Sequence, residues 1–390
     1  MARLSGRRLQ LTNWLPLVLV ALLAACGPAA PAQPAAPAAQ ATTAAGPAAT
    51  GESAEWASLV RAAQQEGRVT VADSALDPAW RAAASEAFGK RYNVAIEDIS
   101  LASGELVARA KRERAAGQQT MDLYVGGAPS GWSLLADDML EPMAPLLVQP
   151  EVTDPQLWRG GRLKILDPAP GYHLQTAEWV MTDLVVNSDL VDPRQITTWQ
   201  DLLKPEYRGK IAAFDPRAPG PGQSTAVHLF ARFGSSYLEK LYVGQQVQYT
   251  KDTRQLGEWL ARGTYAVALS LLPATIETMT QEGFHFERVF PADAPGALTG
   301  GNGVLFAFKN APHPHATQLF INWFASREGQ DVWAKTIREP TLRTDVDLSP
   351  VPSYIVPRDG VDYKIDHYNY EFYNETRKDA TDAILALLGR

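Results

Sequence analysis

Between residues 68 and 139 one pattern recurs three times, and it constrains the fold more than any other feature of the chain. Val69-Thr70-Val71-Ala72 is an apolar, β-branched run, and Asp73-Ser74-Ala75 is a polar loop. Asp77-Pro78 then opens a helix reaching about Phe88, with Asp77 as N-cap and Pro78 in the first turn. Residues 94–99 form a second strand, Ser103-Gly104 a second loop, and 105–116 a second helix. A third strand over 121–125 ends in Gly126-Gly127-Ala128-Pro129-Ser130 and leads to a helix over 132–139. Strand, polar loop and helix in repeated succession predict an open α/β sheet. Ligands of such sheets bind beyond the carboxyl ends of the strands. Ser74, Ser103, Gly127 and Ser130 are therefore candidate ligand residues.

The pattern resumes further along. An apolar run over 178–186, containing Trp179, Val180 and Met181, predicts one buried strand. A capped short helix over 198–203 is closed by Lys204-Pro205, and 209–214 is again a strand. A Pro/Gly-rich loop over 215–222 precedes a helix over 223–233. A helix over 254–261 and a strand over 265–270 complete a second α/β unit. A strand over 303–308 and a strongly apolar helix over 316–325 follow.

The N-terminus reads as an export signal and a leash. Arg3, Arg7 and Arg8 precede an apolar stretch from Leu15 to Ala25, too short to span a bilayer but suited to a signal peptide. It ends in Leu23-Ala24-Ala25-Cys26, which resembles the bacterial lipobox, so Cys26 is the expected lipidation site. Arg7-Arg8 leaves the general secretory and twin-arginine routes both open. Residues 26–52 are nearly all Pro, Ala, Gly, Gln and Thr, a composition that cannot bury a core and predicts a disordered tether. The soluble body is then expected on the outer face of the cytoplasmic membrane or at the cell surface.

Charge and cysteine content exclude several classes. The net charge is -7, and loss of the leader makes it more acidic by three. Without a basic run after the leader, nucleic acid is not an expected partner. A single cysteine permits no disulfide framework and no Cys-rich metal site. No complete G-x-S-x-G, H-E-x-x-H, C-x-x-C or Walker motif occurs, so an enzyme is not expected.

Three segments carry a family resemblance. They are Thr198–Lys210, Asp215-Pro216-Arg217-Ala218-Pro219-Gly220-Pro221-Gly222, and the stretch from Asn310-Ala311-Pro312-His313-Pro314-His315-Ala316 to Gln330. Together they resemble type II extracellular solute-binding proteins of ABC importers, nearest to the ferric-iron-binding group. The resemblance implies two α/β lobes joined by crossover strands around a central ligand cleft. Lobe one would comprise 53–178 and 303–390 and lobe two 179–302, after a signal peptide over 1–25. The 178–186 strand would carry the chain out of lobe one, 303–308 would carry it back, and the apolar helix would pack on lobe one. The implied function is a monomer that captures a small solute by lobe closure and delivers it to a permease. A surface sensor for a membrane receptor, or an unrecognised cell-surface hydrolase, is the alternative.

Candidate ligand residues follow from that frame. Ser224 and Thr225 open a helix whose free N–H groups favour anions, with Arg217 just ahead of it. Trp179 is placed to stack on a ligand, while Ser270 and Asn302 end strands of the second unit. Iron-binding relatives carry an adjacent tyrosine pair after the strand matching 265–270; here Leu271-Leu272-Pro273-Ala274 stands there. No tyrosinate iron site, no other metal site and no cofactor is expected, and a small organic molecule or an oxyanion is the expected ligand. The aromatic tail, Tyr363 to Tyr373, is expected to dock on lobe one.

Overall fold

The computed structural model describes residues 53–74 and 76–389; Cys26, the signal peptide and the tether lie outside them. The helix Ala54–Glu66 begins where Ser53 Oγ accepts the Trp56 N–H at 3.1 Å. It ends at Gly67, whose φ of 75° suits a residue without a β-carbon. Trp56, Leu59 and Ala63, spaced for one helical face, are buried.

β1 (Arg68–Asp73), β2 (Ala95–Ser100) and β3 (Leu123–Gly126) are parallel, with Val71 opposite both Asp98 and Leu123. Helices Pro78–Tyr92 and Ser103–Ala115 connect them. The short β4 (Lys164–Ile165) and β5 (Leu174–Gln175) pair antiparallel. The next apolar run, expected as one strand over 178–186, is two. β6 (Trp179–Val180) and β7 (Leu184–Asn187) belong to different sheets. The chain changes sheet between them, so no single partner can follow it across residues 181–183.

β7 joins β8 (Ile211–Phe214), β9 (Gln248–Thr250), β10 (Val267–Leu269) and β11 (Phe286–Arg288) in a five-stranded sheet of order β11-β7-β10-β8-β9. β12 (Leu298–Thr299) then pairs antiparallel with β6, Leu298 opposite Val180 and Thr299 opposite Trp179. β13 (Val304–Ala307) inserts between β3 and β5, giving the first sheet the order β2-β1-β3-β13-β5-β4. The return crossing is thus β12, a few residues ahead of the expected strand, which lies wholly inside the first sheet. Two α/β lobes result, linked by the β6–β12 ribbon.

Each lobe has its own core. In the first, Phe88 meets Phe320 at 5.5 Å and Trp80 meets Trp333 at 5.9 Å between ring centroids. The apolar helix Pro314–Ala325 packs there against Ala54–Glu66. In the second, Trp199, Leu202, Tyr237 and Leu241 pack around β7, β8 and β10.

The C-terminal segment corrects an expectation. It does dock aromatically on lobe one, with Tyr373 4.5 Å from Trp132. The final helix Thr376–Leu388, however, packs on Pro221–Phe233 of lobe two, burying Ala380 and Ile384. Ala380, Ile384, Leu387 and Leu388 form one apolar stripe at helical spacing, and the back of Pro221–Phe233 is the apolar face it covers.

Candidate functional site

A cavity of about 720 Å³ lies between the lobes at the crossover ribbon. Trp179, Met181, Thr299, Gly301 and Asn302 line it from the ribbon and the turn after it. Pro221, Ser224, Pro273 and Glu277 line it from lobe two, Asp77 and Glu339 from lobe one, and Tyr368 from the C-terminal segment.

Local sequence explains how the lobe-two wall is set. The helix Pro221–Phe233 starts hard against the end of β8: a β-carbon on Gly222 would stand 2.2 Å from the Phe214 carbonyl oxygen. Only glycine fits without moving backbone. Gly222→Ala is expected to destabilise the fold by about 1–3 kcal/mol, read as a lowered urea midpoint. Ser224 Oγ faces the cavity at this helix start.

Four of the expected residues come together. Trp179, Ser224 and Asn302 line the cavity, and Ser74 Oγ donates to Asn302 Oδ1 at 2.8 Å, tying the loop after β1 to the turn after β12. Gly127 lies next to Tyr368, whose hydroxyl donates to Gly301 O at 2.6 Å.

The other five do not line the cavity. Ser103 is exposed on the first turn of its helix. Ser130 is buried, 3.3 Å from the Tyr124 hydroxyl, because the third helix begins at Ala128 rather than after the loop. Proline is tolerated in a first turn, so Ala128-Pro129-Ser130 reads equally as helix start. Thr225 donates to Asp183 Oδ1 at 2.6 Å in the lobe-two interior. Ser270 is buried with a φ of 65°. Arg217 forms a two-pronged ion pair with Asp215, Nε to Oδ1 at 2.9 Å and Nη2 to Oδ2 at 2.8 Å.

The cation at this helix start is instead Arg377, from the final helix. It donates to Gln223 Oε1 at 3.2 Å and reaches Ser224 Oγ at 3.4 Å. Burial pulls its guanidinium below the ordinary value, with the Tyr373 and Tyr368 phenols opposing. No local pattern signals a contact made across 153 residues.

Glu339 was also unforeseen; in Arg338-Glu339-Pro340 it reads as surface loop. Its carboxylate stands beside Gly301, takes the Asn302 backbone N–H, and leaves Oε2 buried with no hydrogen-bond partner. Burial raises its pKa to about 8, with the Asn302 N–H opposing. Across the mouth, Arg338 Nη1 pairs with Glu277 Oε2 at 2.6 Å, and the Tyr354 hydroxyl donates to Glu277 Oε1 at 3.4 Å. Where the resemblance to iron-binding proteins implied a tyrosine pair, Leu272, Pro273 and Ala274 line the cavity. Among the described residues, no three His, Cys, Asp or Glu side chains are grouped to hold a metal ion. Among the same residues, no helix is long and apolar enough to cross a membrane.

Comparison with known proteins gives the fold its context. The profile described as bacterial extracellular solute-binding protein matches residues 83–355. An uncharacterised Haemophilus influenzae protein is 23% identical over 305 residues, covering 75% of this chain and 82% of its own. The periplasmic binding protein AfuA of Actinobacillus pleuropneumoniae, solved with fructose-6-phosphate, superposes with a TM-score of 0.61 at 20% identity, covering 83% of this chain and 99% of its own. A Trichodesmium protein (IdiA, FutA) solved with iron and citrate gives 0.62 at 17% identity, covering 83% of this chain and 100% of its own.

Proposed function

Because the chain belongs to the bacterial extracellular solute-binding protein family, we propose that it is the lipid-anchored solute receptor of an ABC importer, closing two lobes on a small solute. One observation carries the reading: a cavity of about 720 Å³ is walled by both lobes and floored by the ribbon that joins them. A solute there touches both walls only when the lobes are together. It therefore favours the closed state by its differential affinity, and the permease reads closure. We take Ser74, Trp179, Ser224 and Asn302 as the expected residues that bear on the solute. The carbon wall at Leu272–Ala274 supports a small organic molecule or an oxyanion over tyrosinate-bound iron. The helix start at Ser224 with Arg377 is the corner that would suit an oxyanion.

Cys26, outside the described residues, is the proposed lipid attachment. Cys26→Ser is expected to move the exported protein from the membrane to the soluble fraction, seen by fractionation and by loss of the acyl mass; unchanged membrane retention removes the anchor. The receptor reading is tested by native mass spectrometry of protein purified from its own host, then thermal shift with whatever co-purifies. A solute that raises the melting temperature is expected. If no small molecule or ion does so while a partner protein binds tightly, the reading fails.

A further inference from the structure

Away from the ribbon the two lobes meet again, through protein side chains. The lobe-one side is the stretch 338–358. Tyr354 is rooted there beside Ala334, Val346, Val351 and Ile355, and the stretch is tied down where Arg159 N–H donates to Leu342 O and Thr344 N–H to Leu157 O. The lobe-two side is Glu277, on the helix Pro273–Gln281, and Arg288, on β11. Glu277 accepts from lobe one on both carboxylate oxygens: Arg338 Nη1 at 2.6 Å on Oε2 and the Tyr354 hydroxyl at 3.4 Å on Oε1. The Arg288 guanidinium carbon stands over the Tyr354 ring, 3.8 Å from its centre, and that of Arg358 lies 5.3 Å from the centre of the Phe290 ring. Glu277, Arg338 and Pro352 line both the inter-lobe cavity and a second hollow of about 500 Å³, so this contact is the partition between the two.

Two features distinguish the contact from ordinary packing. Arg338 has a φ of 61°, in the left-handed region that disfavours a residue with a β-carbon. Its side chain holds that conformation, with Nε on the Pro350 carbonyl at 3.0 Å while Nη1 crosses to Glu277. Such strain persists only where the surroundings over-determine it, and it gathers at clamps and switches. Arg288 is the second feature: Nε, Nη1 and Nη2 are buried with no hydrogen-bond partner, and burial pulls the guanidinium down to about 10, with Tyr354 opposing. The Tyr354 ring offsets part of that cost, because a cation over an aromatic face is held more strongly once water is excluded. Parting the lobes would return Arg288 to water and free Arg338 to relax. Closure is therefore a balance of opposed terms that a small change can tip. We propose that Glu277 and Arg288 of lobe two form, with Arg338 and Tyr354 of lobe one, a latch that holds the lobes together before a solute arrives. A solute then need not supply the whole free energy of closure, and the loss of affinity that comes from a rarely populated closed state is small.

The alternative is that these residues only pin the 338–358 stretch and leave the lobe angle to the ribbon. Glu277 and Arg338 also line the cavity, so solute affinity does not separate the two, whereas a distance measured without solute does. Arg112 and Glu282 are exposed, on lobe one and lobe two. Spin labels on Arg112→Cys and Glu282→Cys, in the full chain carrying Cys26→Ser and stripped of solute by dialysis out of urea, report the lobe separation by double electron–electron resonance. With the latch intact, one short-distance population is expected. Glu277→Lys brings a third cation beside Arg338 and Arg288 and should raise the open-to-closed ratio about tenfold. Arg338→Glu should do the same by facing Glu277 with a like charge, and the two reversals together should restore the short distance. Tyr354→Leu keeps the apolar packing but removes the ring face, and should raise the ratio roughly tenfold. Glu277→Gln, the mildest change, should raise it about threefold. Each variant should keep the wild-type circular dichroism and a single cooperative urea transition, which distinguishes opening from unfolding. A long distance with the latch intact overturns the proposal. So do single variants that keep the short distance, or a double reversal as open as the single ones. The receptor reading survives all three results, because a chain that rests open still closes on a solute.

Discussion

Deleting residues 358–390 is expected to lower the melting temperature by on the order of 10 °C, for a reason that lies in where those residues go. They do not trail from one lobe. Ile365 packs on Met181 and Ala297 beside the crossover ribbon, and Leu298 N–H donates to Ile365 O at 2.8 Å while His367 N–H donates to Leu298 O at 2.9 Å. The segment thus extends the two-stranded ribbon. Asp366 pairs with Lys164 of lobe one at 2.6 Å, and Tyr368, Tyr370 and Tyr373 surround Trp132. Ala380 and Ile384 are then buried in lobe two. Burying a large apolar side chain contributes about 1.5–3 kcal/mol. Ile365 and Ile384 together with the partly buried rings give roughly 5 kcal/mol, offset in part by the chain entropy that ordering the segment costs. At about 2–4 °C per kcal/mol for domains of 150–250 residues, and less for a larger cooperative body, a shift near 10 °C follows. Differential scanning calorimetry of the truncated and intact chains measures it. An unchanged melting temperature would show that the segment rests on the surface without holding it.

The same segment shows what a sequence reader can and cannot see. Its aromatic residues advertised burial, and lobe one was the expected dock. The helix beyond them changes lobe because its stripe, Ala380 to Leu388, matches a face more than a hundred residues away. Periodicity reveals that a stripe exists but not which surface it covers. β1, β2 and β3 were legible for the opposite reason: their alternation of apolar run, polar loop and capped helix is local, and Asp77 caps its helix as expected, accepting the Ala79 N–H at 2.7 Å. The break between β6 and β7 was hidden because an apolar run looks the same whether it pairs with one sheet or two.

The site divides along the same line. Trp179, Ser224 and Asn302 reached the cavity because each sits at an element's end, which the topology sends to the cleft. Arg217 did not, because Asp215 takes up its guanidinium in a two-pronged ion pair. Arg377 and Glu339 were invisible, because each matters only through contacts assembled by the fold.

Asp183→Ala is expected to cost about 3–5 kcal/mol, the largest effect of any single substitution proposed for this protein. Asp183 is 4% exposed and lies where the chain enters lobe two. Its Oδ1 accepts from Thr225 at 2.6 Å, its Oδ2 meets His228 Nδ1 at 2.8 Å, and its carbonyl accepts the Ser270 N–H at 3.1 Å. Alanine would keep the last bond and strand two buried polar groups, a loss typical of breaking a buried pair. Asp183→Asn keeps the shape and one acceptor, so it should cost less, about 1–3 kcal/mol. Acid supplies a second check. Burial alone would raise the Asp183 carboxyl, but the His228 ring and the Thr225 hydroxyl outweigh it and hold it below the usual carboxylate range. A folded-state value below the unfolded one, about 3.9, contributes stability that is complete above that pH and is lost as pH falls through the folded value. The gap in urea midpoint between wild type and Asp183→Ala should therefore be widest near neutrality and narrow as pH drops toward 3. A gap that holds constant with pH would mean that the carboxylate charge does not contribute. The consequence reaches the cleft, because Thr225 and His228 belong to the helix whose first turn presents Ser224 to the cavity. The anchor of that helix is Asp183, so its loss should loosen the lobe-two wall where the solute is expected to press.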